Sequence, residues 1–89
     1  MKRHKHRADA NAADLIAVAE KMGMEFLAHD GTVDGTLWIP RQHRLELVDW
    51  KAGPTSPVTK GQRRLLDAGW PLRLIHDVDG LLDLLARTR

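Results

Sequence analysis

The spacing of apolar and polar residues divides the chain into seven elements. From Asn11 the pattern is helical: Leu15, Ala19 and Met22 recur at i, i+4 and i+7 with Ile16 beside them, while Asp14, Glu20 and Lys21 fall outside that stripe. Asn11 is placed to cap this helix, with Asp14 three residues on, and Gly23 to stop it. Glu25 to His29 reads as a short strand ended by Asp30-Gly31, and a second strand runs from about Val33 to Ile39, stopping at Pro40. Arg41-Gln42-His43 is a polar turn into the clearest strand, Arg44 to Lys51. Ala52 to Val58 carries Gly53, Pro54 and Pro57 and predicts an exposed loop. Thr59-Lys60-Gly61-Gln62 is a capping-box pattern that opens a helix to Ala68, ended by Gly69 with Pro71 beyond. Leu72 to His76 is a fourth strand, and Asp77 caps a last helix whose Val78, Leu81, Leu82 and Leu85 share a face.

The expected fold is therefore α/β in the α+β sense: one small domain with a mixed sheet of about four strands in the order α-β-β-β-α-β-α. At 89 residues, 43% of them hydrophobic and 29% charged, the chain suits a single soluble domain with a small core. No apolar run is long enough to span a membrane, and no secretory leader follows the basic start. Cysteine is absent, which excludes disulfides and thiolate metal sites and leads us to expect a reducing cytoplasm, in a bacterial or phage-infected cell. With no tyrosine and one phenylalanine, Phe26, an extended aromatic platform for single strands is not expected.

The net charge is only +2, but four of the 14 basic residues, Lys2, Arg3, Lys5 and Arg7, lie in the first seven positions with His4 and His6. The isoelectric point near 9.4 thus reflects an arm more than a basic globule. We expect residues 1–8 to be a disordered basic arm that follows a phosphate backbone or serves only as a solubilising tail, and residues 9–89 to be the folded domain. His4 and His6 on such an arm make a poor metal site.

Alternation in the third strand puts Leu45, Leu47, Asp49 and Lys51 on one side and Glu46, Val48 and Trp50 on the other. An aspartate among leucines is costly unless a cation holds it, and Lys51 is within reach on the same side. The plain reading is an ion pair at a strand end. The hairpin offers another. If residues 41–44 form a four-residue loop, Pro40 pairs with Leu45 and Asp34 lies across from Lys51, near Asp49. A three-residue loop would set Asp34 against Trp50 on the other side, barring a bulge. In the first register two carboxylates and an ammonium converge, a hard-oxygen site suited to Mg²⁺ or Mn²⁺. Gln62 falls on the inner side of its helix, as a capping-box member or as part of this site. Asn11 is also inward, and Lys60, Arg63 and Arg64 point outward, free to meet phosphates or water.

Asp34, the strand ending Val48-Asp49-Trp50-Lys51 some fifteen residues later, and an inward glutamine on the next helix together resemble the PD-(D/E)XK nuclease signature. The likeness is to the small stand-alone VRR-NUC type, related to Holliday-junction-resolvase-like nucleases and often found in phages. It runs from Asp9-Ala10-Asn11 through Gly31-Thr32-Val33-Asp34, the Asp49-Trp50-Lys51-Ala52-Gly53 run and Thr59-Lys60-Gly61-Gln62 to the final leucine-rich helix. Val33 stands where the family usually carries proline, and Asp49 where glutamate is common. Only Asp9 and Asn11 lie near the position of an acidic helix-one residue that assists the metal in relatives.

The resemblance implies a restriction-endonuclease-like core and Mg²⁺- or Mn²⁺-dependent hydrolysis of DNA phosphodiester bonds, directed to branched or junction DNA rather than to a sequence. Asp34, Asp49 and the Trp50 carbonyl would hold the metal, with Asp9 or Asn11 as accessory. Lys51 would orient the attacking water, and Gln62 would position Lys51, the water or the phosphate. Lys2, Arg3, Lys5, Arg7, Lys60, Arg63 and Arg64 would contact DNA. A homodimer with two sites is expected, with Trp38 and Trp50 read either as interface anchors or as ordinary core packing. The alternatives are a non-catalytic nucleic-acid-binding or phage assembly module that keeps the fold, and a partner-binding protein with no nucleic acid.

Overall fold

Helix α1 spans His6–Lys21, five residues longer at its start than the pattern from Asn11 suggested. The alanines at 8, 10, 12 and 13 explain the extension, since alanine is the strongest helix former and nothing here breaks the turn. Asn11 is consequently an interior helical residue and not the cap, and His6 to Ala8 belong to α1 and not to an arm. The structure, a computed structural model, describes residues 6–86, with side chains from residue 11 onward. Lys2, Arg3 and Lys5, and the side chains of Arg7 and Asp9, lie outside the described residues. The helix closes on Gly23 at φ +89°, with Gly23 N–H donating to Glu20 O (3.0 Å) and Met24 N–H to Ala19 O (3.0 Å). A left-handed residue is needed for that paired closure, and glycine takes it without strain.

Strands β1 (Glu25–Ala28), β2 (Gly35–Ile39) and β3 (Arg44–Trp50) form an antiparallel meander. Helix α2 (Lys60–Asp67) then crosses over to β4 (Leu72–Ile75), which lies parallel to β3, and α3 (Val78–Ala86) ends the described chain. The result is a small α+β domain with a four-stranded mixed sheet in the order β1-β2-β3-β4. The element order follows the sequence pattern.

Leu37, Ile39, Val48, Trp50 and Ile75 from the sheet pack with Leu15 and Ala19 of α1 and Leu81 and Leu84 of α3. This buried face is the Val48 and Trp50 side of β3. Leu45, which alternation had grouped with core leucines, is 56% exposed. The two-residue period of a strand separates the faces correctly but does not say which one the helices cover. Trp50 is therefore core, edge-on to Phe26 at 5.5 Å between ring centres, and is not an interface anchor. Glu46 shares the buried face at 3% exposure and is held by Arg44 Nε (2.8 Å) and Arg73 Nε (2.9 Å).

The β2–β3 register differs from the sequence expectation by two residues. Ile39 pairs with Arg44 and Gly35 with Val48, so the four-residue loop is 40–43 and not 41–44. Proline has no N–H to give a ladder, and Pro40 instead opens a short 3₁₀ turn, Pro40–Gln42, followed by His43 at φ 50°. A slip of two keeps every side chain on its face. It moves Asp34 from a place opposite Lys51 to one opposite Asp49.

Candidate active site

Asp34 enters β2 immediately before Gly35, where a Cβ would collide with the Leu27 carbonyl and the Phe26 ring. That glycine lets β1 close on β2, and His29 N–H donates to Asp34 O (2.8 Å) to hold the chain at this point. Asp49 and Lys51 come from the end of β3, where it leaves the sheet. The two acids latch each other through the backbone. Asp34 N–H donates to Asp49 Oδ1 (3.1 Å), and Trp50 N–H donates to Asp34 Oδ2 (2.8 Å).

Lys51 Nζ lies 3.0 Å from Asp49 Oδ2 and donates to Gln62 Oε1 (2.9 Å) and Pro57 O (2.9 Å). Three acceptors match the three protons of an ammonium. Gln62, 3% exposed, is the second hub: its Nε2 donates to Thr32 O (2.9 Å), and its Oε1 also accepts from Thr59 N–H (3.3 Å). Thr59 Oγ1 accepts from Gln62 N–H (3.1 Å), completing the capping box. The glutamine thus fills both roles open to it, as cap partner and as strap between Lys51 and the turn before Asp34. Asn11 Nδ2 donates to Lys51 O (2.7 Å), which ties α1 to the end of β3 and makes Asn11 a positioning residue.

Although Asp34 as a residue is exposed, its carboxyl points inward, and its pKa is raised above the ordinary 3.8. Burial of the carboxyl is the main cause. The Trp50 N–H opposes it, the Asp49 charge and a hydrogen bond shared with Asp49 reinforce it, and Lys51 pulls weakly the other way. Crowded oxygens of this kind favour either a shared proton or a divalent cation. Among the described residues no three His, Asp or Glu side chains stand together. The donor set nonetheless fits Mg²⁺, which binds through one or two carboxylates and completes its shell with water and substrate phosphate.

A cleft of about 550 Å³ opens beside the acids, with Ala12, Ile16 and Phe26 as its apolar side and His29, Ser56 and Pro57 at its edges. Sequence reasoning missed His29, whose Nε2 is 2.6 Å from Thr36 Oγ1, and the Pro57 carbonyl that fixes Lys51. No residue type marks a backbone acceptor in a loop, so the latter had no signal to find. Lys60, Arg63 and Arg64 are exposed on α2. Asp34, Asp49, Lys51 and Gln62 are brought together, Asn11 adjoins them, and Asp9 lies outside the described side chains. No family model, curated protein or solved structure matches the chain.

Proposed function

We propose that the protein is a metal-dependent DNA endonuclease of PD-(D/E)XK type with a restriction-endonuclease-like core, acting on branched or junction DNA. The observation that carries this reading is the Asp34–Asp49 latch with Lys51 bonded to its second member. Asp34, Asp49 and the Trp50 carbonyl would hold Mg²⁺ or Mn²⁺, which when bound polarises the scissile phosphate and acidifies a water. Lys51 orients the attacking water and offsets the charge gathering on the pentavalent phosphorus. Gln62 keeps the ammonium aimed, and the exposed cations of α2, with the basic residues near the start of the chain, grip phosphates without reading bases.

Two copies would present two sites to two strands. The sheet face shared by Leu27 (67% exposed), Leu45 and Trp38 is apolar enough to pair them. The lack of cysteine suits a reducing cytoplasm, and no described helix is long and apolar enough to cross a membrane.

A second reading, a non-catalytic nucleic-acid-binding module, is favoured by one fact: the Lys51 ammonium already has three protein acceptors. Cleavage of branched and linear DNA in Mg²⁺ or Mn²⁺ separates the two. The nuclease reading expects cutting that falls at least a hundredfold in Lys51→Ala and Asp34→Ala. Binding without cutting in either metal rejects it in favour of the second.

A further inference from the structure

Beside the acid pair, a second groove of about 380 Å³ runs between Thr32 and helix α2, lined by Thr32, Gly61, Arg64, Leu65, Ala68 and Trp70. It begins at Thr32, two residues from Asp34, and although it shares no lining residue with the acid cleft, Gln62 links the two places by binding Thr32 O with its Nε2 and Lys51 Nζ with its Oε1. A Cβ at Gly61 would lie 2.9 Å from Thr32 Cγ2, so helix and turn are in close contact at the groove floor. At its far end stands Trp70, 55% exposed. The other two tryptophans differ: Trp50 is buried, and Trp38 is half-buried against His43 at 5.5 Å.

The exposure of Trp70 does not come from a loose segment. Its N–H donates to Leu65 O (3.0 Å) and its carbonyl accepts from Leu72 N–H (2.8 Å), so the indole is presented from a turn pinned on both sides. An exposed indole held in place, next to a guanidinium in the same wall, is the arrangement on which a flat, electron-rich ring stacks. Lys60, Arg63 and Arg64 stand exposed on α2 against the single acid Asp67, so the surroundings favour a phosphodiester. The volume is near the lower end of small-ligand sites and suits one nucleoside. Within a duplex both faces of a base are covered by its stacked neighbours, so an internal base that enters the groove has left the stack and is unpaired.

We propose that this groove is a single-base subsite, in which an unpaired nucleobase a short distance from the cleaved phosphate stacks on Trp70 while Arg64 meets the adjoining phosphate. The proposal rests on the nuclease reading and narrows its substrate class to DNA with a single-stranded flank or an unpaired nucleotide at the branch. One stacking residue is not the extended aromatic platform that the composition argues against; it selects for an open base, not for a sequence.

The test measures binding of the full chain in EDTA, where cleavage does not intervene, to three fluorescein-labelled DNAs: a blunt duplex, the same duplex with a single-stranded flank, and the single strand. The wild type should prefer the flanked duplex to the blunt one, and its tryptophan emission should be quenched by the flanked DNA. Trp70→Ala should reduce that preference by about 5- to 100-fold, the loss of one stacked base. Trp70→Phe should retain most of the preference but lose the quenching. Arg64→Glu should weaken flanked DNA most and flatten its salt dependence. An unchanged preference in Trp70→Ala, or no preference in the wild type, overturns the subsite. Cleavage assays in Mg²⁺ then distinguish the two ideas. Cutting with an unaltered preference sinks the subsite alone, and a Trp70-dependent preference in a protein that cuts nothing sinks the nuclease alone.

Discussion

Gln62→Leu isolates the polar contribution of the residue that joins the site to the fold, since leucine keeps the side-chain bulk and the helix. The glutamine makes three side-chain bonds: from Lys51 Nζ, from Thr59 N–H and to Thr32 O. A neutral bond contributes about 1 kcal/mol and a charged one about 1.5–3 kcal/mol, for a gross loss of roughly 3.5–5 kcal/mol. Thr32 and Thr59 are exposed, so water replaces part of what they lose, and the added apolar surface offsets more. The net cost should be about 2–3 kcal/mol against a total stability of roughly 4–13 kcal/mol for a chain of this length. Tm should fall by about 8–24 °C while the protein still folds. The Thr59 Oγ1 bond to the backbone of residue 62 survives the change, so the loss is not that of the cap. Urea unfolding followed by circular dichroism measures it, and a double-mutant cycle with Lys51→Met should show coupling of about 1 kcal/mol or more. A cost below about 0.5 kcal/mol, or strict additivity with Lys51→Met, would refute the idea that Gln62 and Lys51 act as one unit.

Three other outcomes follow from the same geometry. Because Asp34's pKa is raised on folding, its favourable contribution is complete below the ordinary 3.8 and is lost as pH rises through the raised value. Asp34→Asn, whose amide oxygen still accepts from Trp50 N–H, should therefore be more stable than wild type at pH 7, with a flatter slope above pH 4 in urea melts. A less stable variant contradicts the sign. Mg²⁺ or Mn²⁺ at a hundredfold excess over Kd should add about 2.7 kcal/mol to the wild type and nothing to Asp34→Asn or Asp49→Asn in thermal melts; equal shifts in all three would place the ion elsewhere. Glu46→Ala leaves Arg44 and Arg73 facing each other without an anion, and should cost about 2–3 kcal/mol because both guanidiniums keep some contact with water. A neutral result in denaturant titration would mean that the triad carries no net stability.

Local rules alone determined the order of elements. Periodicity marked the helices and strands, and Gly23 and the Thr59–Gln62 box ended or opened two of the helices where expected. Whether Asp34 and Asp49 share a side turned on an even or an odd hairpin loop, which the sequence left open; the four-residue turn 40–43 decided it, and the two-residue shift from the expected even loop kept that parity. What the tertiary structure decided was whatever depends on contact between distant segments. It chose which face of β3 the helices bury, and so made Trp50 core and left Leu45 in water. It placed Asn11 against the Lys51 carbonyl and Pro57 O against the Lys51 ammonium, pairings that no local pattern encodes. Residue type and spacing act over one or two turns of chain, whereas burial and convergence are properties of the packed whole.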